Sequence, residues 1–390
     1  MSRKKELTQY RDIVSRIRID HNAYADILDE LTEAYDAVGT TATPVCLLIT
    51  GESRTGKSSV VRDLLETYLP TQVDDRTIRT VVYAVAPAKA TVKSLLESLL
   101  HGLGDPYWSR GSLGNMTQRL YTLLDAVQCK MIILDEFQHL CDKGQKQLLH
   151  MLADWLKVLL ESRKYGLVAV GLPTAASVVH GHPQLAGRFD DELKMPLFDW
   201  RDKGSSAQFR AILRQFQKEV HPFQLPALDS REMALRVFLA SAGRIGLVAK
   251  LLDRAVRNAV RAGTVNIGLD DLKKAYARAI WSARLFPVPG GPFGADTTAL
   301  LAKGVQETVF ANAALEEVAD KSAAVAVYGK NKPMPVPAAA ADDDDEEEQQ
   351  REPPAGPRRA RQASPKAKKA KGRPPMRRRP DPKKELRKAL

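Results

Sequence analysis

Cysteine is scarce in this chain, with three in 390 residues, at Cys46, Cys129 and Cys141. All three lie in or beside apolar runs, and their spacing is neither that of a disulfide framework nor that of a zinc site. Buried thiols in a reducing compartment are the expectation. Long apolar runs are missing too: no stretch approaches the roughly 18 residues that span a bilayer, and the opening MSRKKELT is basic without an apolar h-region. These absences predict a cytoplasmic protein with no membrane partner. Acidic residues are in deficit, 47 Asp and Glu against 59 Lys and Arg, for a net charge of +12. DDDDEEE at 342–348 contributes −7 and residues 351–390 contribute +13, which leaves +6 on the rest. A mildly basic body leans towards a polyanionic partner, although the same charge also serves solubility. With 44% hydrophobic residues the chain can fill one large or two ordinary domains, which excludes a small stapled fold.

One stretch organises the rest. Val45-Cys46-Leu47-Leu48-Ile49-Thr50 is short enough for a buried strand, and Gly51-Glu52-Ser53-Arg54-Thr55-Gly56-Lys57-Ser58 follows as a G-x-x-x-x-G-K-S loop. Val60, Val61, Leu64, Leu65 and Tyr68 then recur at helical spacing. Gly51 and Gly56 let several backbone N–H groups turn into one concavity, to which the helix adds the positive end of its dipole. A triphosphate matches that hollow. Lys57 is placed to reach the β- and γ-phosphates and the Ser58 hydroxyl to ligate Mg²⁺, so ATP and Mg²⁺ are the expected cofactors. The candidate nucleotide contacts run from Gly51 through Ser59.

Upstream, Ala23, Tyr24, Ile27, Leu28, Leu31, Ala34 and Tyr35 share one helical face, predicted to pack on the main domain. Ile17–His21, just before it, either covers a nucleotide base or packs as ordinary core. Downstream, Pro70 stops the loop's helix and Thr80–Val85 reads as a second strand. Thr91 is a plausible cap for a helix carrying Leu95, Leu96, Leu99 and Leu100. Tyr107-Trp108-Ser109-Arg110-Gly111-Ser112 mixes aromatic, basic and small polar residues, either to touch a nucleic-acid backbone or as an ordinary connection with a partly packed Trp. A helix with Met116, Leu120, Leu123, Leu124 and Val127 follows.

Met131-Ile132-Ile133-Leu134-Asp135-Glu136 puts two carboxylates at the end of an apolar strand, the edge where open α/β sheets bind ligands. Asp135 would hold the Mg²⁺ shell and Glu136 would orient or deprotonate the attacking water. Alone, such a pair could simply cap a helix; 78 residues downstream of a phosphate loop, phosphoryl transfer is the stronger reading. Leu148, Leu149, Leu152, Trp155, Leu156 and Leu159 then mark a long helix, and Gly166–Gly171 another buried strand. Alternating strands and helices over 45–171 predict an α/β fold with a parallel three-layer sheet.

Here a resemblance becomes specific. The Ile17–His21 lead-in, ITGESRTGKSS, the Lys89 loop, MIILDEFQHL, the VAVG strand and LAGRFD, in that order, resemble AAA+ ATPases of the TniB and TnsC type over residues 15–284. Those proteins are ATP-dependent regulators of DNA transposition, related in role to Mu B protein. The resemblance implies Walker A ligands at Lys57 and Ser58 and a Walker B pair at Asp135 and Glu136. It implies an arginine finger at Arg188, reaching the γ-phosphate of a neighbouring subunit, and a second sensor arginine at Arg244; each could instead be a solvated surface residue. It also implies channel-lining DNA contacts at Lys89 and Ser112, with Lys93, Arg110 and Arg119 as neighbours. One departure matters: the polar sensor expected after the fourth strand is Leu172, with Thr174 as a possible substitute.

The resemblance further implies a homo-oligomer, a hexameric ring or helical filament, on double-stranded DNA, with a transposase and a target-selection protein as partners. A helicase-loader or secretion-type AAA+ protein, or a nucleotide-stabilised scaffold with little turnover, stay open beside it. The expected domains are an N-terminal segment with a packing helix (1–44), the AAA+ α/β domain (45–199), an α-helical lid (200–284), a linker with short helices (285–330) and a disordered acidic-then-basic tail (331–390). The Pro/Gly-rich run 286–292 is expected to end the folded core. The tail cannot bury enough apolar surface to fold alone.

Overall fold

Alternate residues of a strand face opposite sides of a sheet, and the apolar runs here bury both sides. In the computed structural model, which describes residues 2–315 apart from 20, 89–90, 142–153, 161–163, 182 and 303, seven strands form. They are β1 (Cys46–Thr50), β2 (Thr71–Val73), β3 (Arg76–Ile78), β4 (Val81–Val85), β5 (Met131–Asp135), β6 (Gly166–Gly171) and β7 (Glu192–Lys194). Five pair in parallel in the order β4-β5-β6-β1-β7. Every residue of β1, β5 and β6 is buried, as a sheet covered on both faces requires. β2 and β3 form a separate antiparallel hairpin, turning at Asp74 with φ 53°.

The helices of this part are α1 (Ser2–Leu7), α2 (Ile13–Arg16), α3 (Asn22–Ala37), α4 (Lys57–Thr67), α5 (Val92–Leu103), α6 (Leu113–Ala126), α7 (residues 154–160), α8 (Thr174–His180) and α9 (Pro183–Ala186). Cys46, Leu48, Ile132, Leu134 and Leu167 look towards Leu95 and Leu99 of α5, Leu120 of α6 and Leu156 of α7. Their sequence neighbours Leu47, Ile49, Ile133 and Val168 look the other way, towards Leu31 of α3 and Val60 and Leu64 of α4. This period-two division makes the three layers. Thr91 does cap α5, accepting from Ser94 N at 3.0 Å in a reciprocal capping box. The predicted long helix around residue 155 is described only over 154–160; Leu148, Leu149 and Leu152 lie outside the described residues.

A second apolar core belongs to four amphipathic helices, α10 (Lys203–Glu219), α11 (Arg231–Ser241), α12 (Ile245–Ala262) and α13 (Leu269–Ala279). Asp202 and Ser230 cap the first two, and Gly263, at φ 72°, closes α12. The structure extends this lid beyond the expected bounds at both ends. Leu7, Val14 and Ile19 join its core from the start of the chain, while Phe293, Leu300, Val305 and Val309 join it from beyond the Pro/Gly run. That run turns at Gly290 (φ 86°) and Gly291 (φ 70°) and does not end the core. Buried Arg236 holds the return, donating to Pro292 O at 2.8 Å and Ala295 O at 2.9 Å. The acidic-then-basic tail lies outside the described residues. Among those described, no helix is long and apolar enough to cross a membrane.

Candidate functional site

β1 delivers the chain to the C-terminal edge of the sheet at Thr50, which pairs in register with Gly171 of β6. The phosphate loop follows. Gly51 admits no side chain, since a Cβ would lie 2.8 Å from Met195 O and 2.9 Å from Thr55 Oγ1. Gly56 takes φ 116° as it opens α4, a conformation that glycine adopts without strain. The loop is braced from inside: Thr55 Oγ1 donates to Glu52 O at 2.8 Å, and buried Lys57 donates through Nζ to Gly51 O and Glu52 O, each at 2.7 Å. Ser58 stands exposed on the first turn of α4.

The two acids sit beside this loop because β5 lies one strand away from β1 across β6. Asp135 is buried and held at both oxygens, by Glu136 N–H at 2.8 Å and by the Tyr83 hydroxyl at 3.0 Å. Burial pushes its carboxyl above the usual range, against the pull of those two donors and of the Lys57 ammonium. A metal cation placed there would favour the ionised form. Glu136 turns sharply, at φ 55°, into the 3₁₀ turn Phe137–Cys141. Its carboxylate accepts from Gln138 Nε2, and Gln138 Oε1 in turn accepts Leu172 N–H at 3.0 Å.

The lid meets the loop backbone to backbone. Gly246 N donates to Arg54 O at 2.8 Å, and a Cβ on Gly246 would lie 2.9 Å from that same oxygen. Gly243, at φ 67°, is pressed against the Phe198 carbonyl. Between these glycines, buried Arg244 opens α12 with Nη2 4.0 Å from Glu52 Oε2. The lead-in is clamped from the other side: Arg18 pairs with Asp63 and Glu66 of α4, each at 2.7 Å. One pocket is consequently shared by lead-in, loop and lid, with Ile17, His21, Thr55, Gly56, Ser59 and Ile245 among its walls.

Not every predicted residue converges there. Thr174 is exposed at the start of α8, and the polar contact at the end of β6 comes from Gln138. Arg188 lies near the opposite edge of the sheet: its charge acts on the Cys46 thiol, and Asp190 N, two residues on, donates to Cys46 O at 3.0 Å. Cys46 opens β1, so the phosphate loop is a whole strand away, about 16 Å at ~3.3 Å per residue. Arg188 is thus set beside the start of β1, at the far end of that strand from the loop of its own chain.

Of the predicted DNA contacts, Lys89 lies outside the described residues. Lys93 and Arg110 are exposed, and Ser112 caps α6 by accepting from Asn115 N at 3.3 Å. Arg119 is already occupied within the chain. It donates to Asp105 Oδ2 at 2.6 Å, Tyr107 O at 2.7 Å and Arg110 O at 3.0 Å, and so shapes the loop that displays Tyr107, Trp108 and Arg110. Arg110 lies over the Tyr107 ring at 5.6 Å.

Among the described residues no three His, Cys, Asp or Glu side chains are placed to hold a metal together. A nucleotide-bound Mg²⁺ needs no such cage, because phosphate oxygens and water supply most of its ligands. The oxygens of Ser58 and Asp135 suit that role. Tyr83, Gln138 and Gly246 are the members of the site that motif reading missed; the two glycines flanking Arg244 in SAGRIG were the available signal for the last.

A phosphate loop after an interior strand of a parallel sheet, an acidic pair on the next strand but one and a helical lid closing on the loop define a P-loop ATPase fold of the AAA+ type. Solved structures share that fold. The ORC1 protein of Aeropyrum pernix in complex with DNA aligns at TM-score 0.51 and 20% identity over 70% of each chain. Cdc6p from Pyrobaculum aerophilum aligns at TM-score 0.52 and 16% identity over 72% of this chain and 74% of that one. No curated protein matches the sequence. The family described as bacterial TniB protein matches residues 11–202, and over that span the chain is a TniB-type AAA+ ATPase.

Proposed function

We propose that this protein binds and hydrolyses ATP between copies of itself assembled on double-stranded DNA, and that the assembly recruits or activates a transposase. The observation that carries the reading is the division of the chemistry within one chain. Lys57, Asp135, Glu136 and Arg244 gather at one edge of the sheet, while Arg188 stands near the other. A head-to-tail neighbour would bring Arg188 to the γ-phosphate, where transition-state charge accumulates. The TniB match supplies the transposition context, and the DNA in the Aeropyrum ORC1 complex supports a DNA partner.

In this mechanism the loop N–H groups and Lys57 orient the phosphates. Ser58 and Asp135 would hold Mg²⁺, which would supply charge neutralisation to the bound phosphates. Glu136 takes the proton of the attacking water, and Arg244 carries the phosphate state into the lid. DNA would be held by backbone contacts from Lys89, Lys93, Arg110 and Ser112, without sequence readout. A target-selection protein would then set where assembly starts.

The test is electron microscopy of the full chain with duplex DNA and ATP, a slowly hydrolysed analogue or ADP. Nucleotide-dependent rings or filaments enclosing DNA, lost in Lys57→Ala, are the expected result. No assembly on duplex DNA with any nucleotide would remove the transposition reading and leave the loader or scaffold alternatives.

A further inference from the structure

The absence of a polar residue at position 172, just past β6, has a structural answer at the end of the neighbouring strand β5. Gln138 is buried between the C-terminal ends of β5 and β6, and its amide joins them. The amide's orientation is fixed by chemistry: Leu172 N–H can only donate, so the side-chain oxygen must face it, which turns the NH₂ group to the Glu136 carboxylate. Three further features build this bridge. Glu136 takes the left-handed φ of 55°, the 3₁₀ turn at Phe137–Cys141 brings residue 138 back towards the sheet, and Gly171 leaves room where a Cβ would lie 2.5 Å from Gln138 Oε1. His139 Nε2, 3.9 Å from the same Glu136 oxygen, is outside hydrogen-bonding range.

We infer that Gln138 is a positioning residue for Glu136: it fixes the carboxylate to the end of β6 and so supplies the polar link that Leu172 cannot. The role rests on the hydrolysis proposed above. A glutamate side chain on an open turn samples several rotamers. With one oxygen held by Gln138, the other has a defined direction from which to accept the water's proton. Because the same amide grips the Leu172 backbone, a displacement of the β6 end on phosphate binding or release would turn Glu136 with it.

The test compares Gln138→Leu and Gln138→Glu in the full chain with duplex DNA, measuring steady-state ATP turnover and, separately, affinity for a fluorescent ATP analogue. Gln138→Leu removes donor and acceptor; the expected outcome is a fall in kcat of about 10- to 100-fold, with KM and analogue affinity within about twofold of wild type. Gln138→Glu retains the acceptor for Leu172 N–H but sets a second carboxyl against Glu136 in place of the donor, so it is expected to be as slow as the leucine variant, with analogue affinity within about twofold of wild type showing that the fold is intact. In single-turnover measurements on Glu136→Gln, adding Gln138→Leu is expected to cost nothing further, as for two residues acting through one group. Wild-type kcat in either single variant, or a multiplied loss in the double variant, would overturn the inference. Wild-type protein that binds ATP without turnover would remove the hydrolysis reading and this role together; unaffected variants of an active wild type would remove the role of Gln138 alone.

Discussion

In the proposed reaction Lys57 and Glu136 act at different stages, and their substitutions should separate accordingly. Lys57 both braces the loop carbonyls and faces the phosphates, so Lys57→Ala is expected to abolish nucleotide binding itself. Glu136 is proposed to act on the attacking water and not to bind the nucleotide, so Glu136→Gln should retain ATP affinity while turnover falls about 10²- to 10⁴-fold; equilibrium binding beside steady-state turnover separates the two. The thiols give a check on the core. Burial pushes Cys46 and Cys129 up to about 12, well above solution pH, and both side chains are enclosed. Neither should react with iodoacetamide until the protein unfolds, as peptide mapping would show. At this scale the acids and the lysine are legible as candidates because each sits in a short contiguous motif. Gln138 was illegible, since its partners are set by a left-handed turn at Glu136 and by the neighbouring strand. Arg119 was misleading for the converse reason: a basic residue near a loop reads as free charge until Asp105 is seen beside it.

Elements were legible in proportion to their burial. β1, β5 and β6 declared themselves as apolar runs, and α12 by Leu247, Leu251, Leu252 and Val256 on one face. The β2–β3 hairpin was missed because its three-residue strands are largely exposed and carry no alternation. The return of residues 292–313 to the lid was missed because Pro and Gly signal a turn without saying what comes after it. Two variants test these junctions. Gly246→Ala would force a methyl against Arg54 O; nucleotide affinity should fall about tenfold or more in an equilibrium titration while the melting temperature of the lid core holds. Arg236→Ala would leave the Pro292 and Ala295 carbonyls without that donor, and about 2–4 kcal/mol of stability should be lost in denaturant unfolding.

For the whole molecule, the proposed assembly would make the complete site a property of an interface, because Arg188 and Lys57 lie at opposite ends of β1. Arg188→Ala and Glu136→Gln should each be nearly inactive in DNA-stimulated hydrolysis. Mixed in equal amounts, they should recover about a quarter of wild-type turnover, the share of head-to-tail interfaces that pair an intact Glu136 with an intact Arg188. A mixture as silent as its components would place the finger elsewhere.

The lid core also has a bearing on how the chain is made. Leu7, Val14 and Ile19 leave the ribosome ahead of the α/β layers, yet the helices that cover them begin at Lys203, and the core closes only with Val309 and Ala313. The α/β layers, complete by Met195, can fold while the lid is still being translated. At ~5–20 residues per second, the interval from residue 195 to residue 313 is on the order of ten seconds, during which the nascent N-terminus carries uncovered apolar side chains available to a chaperone.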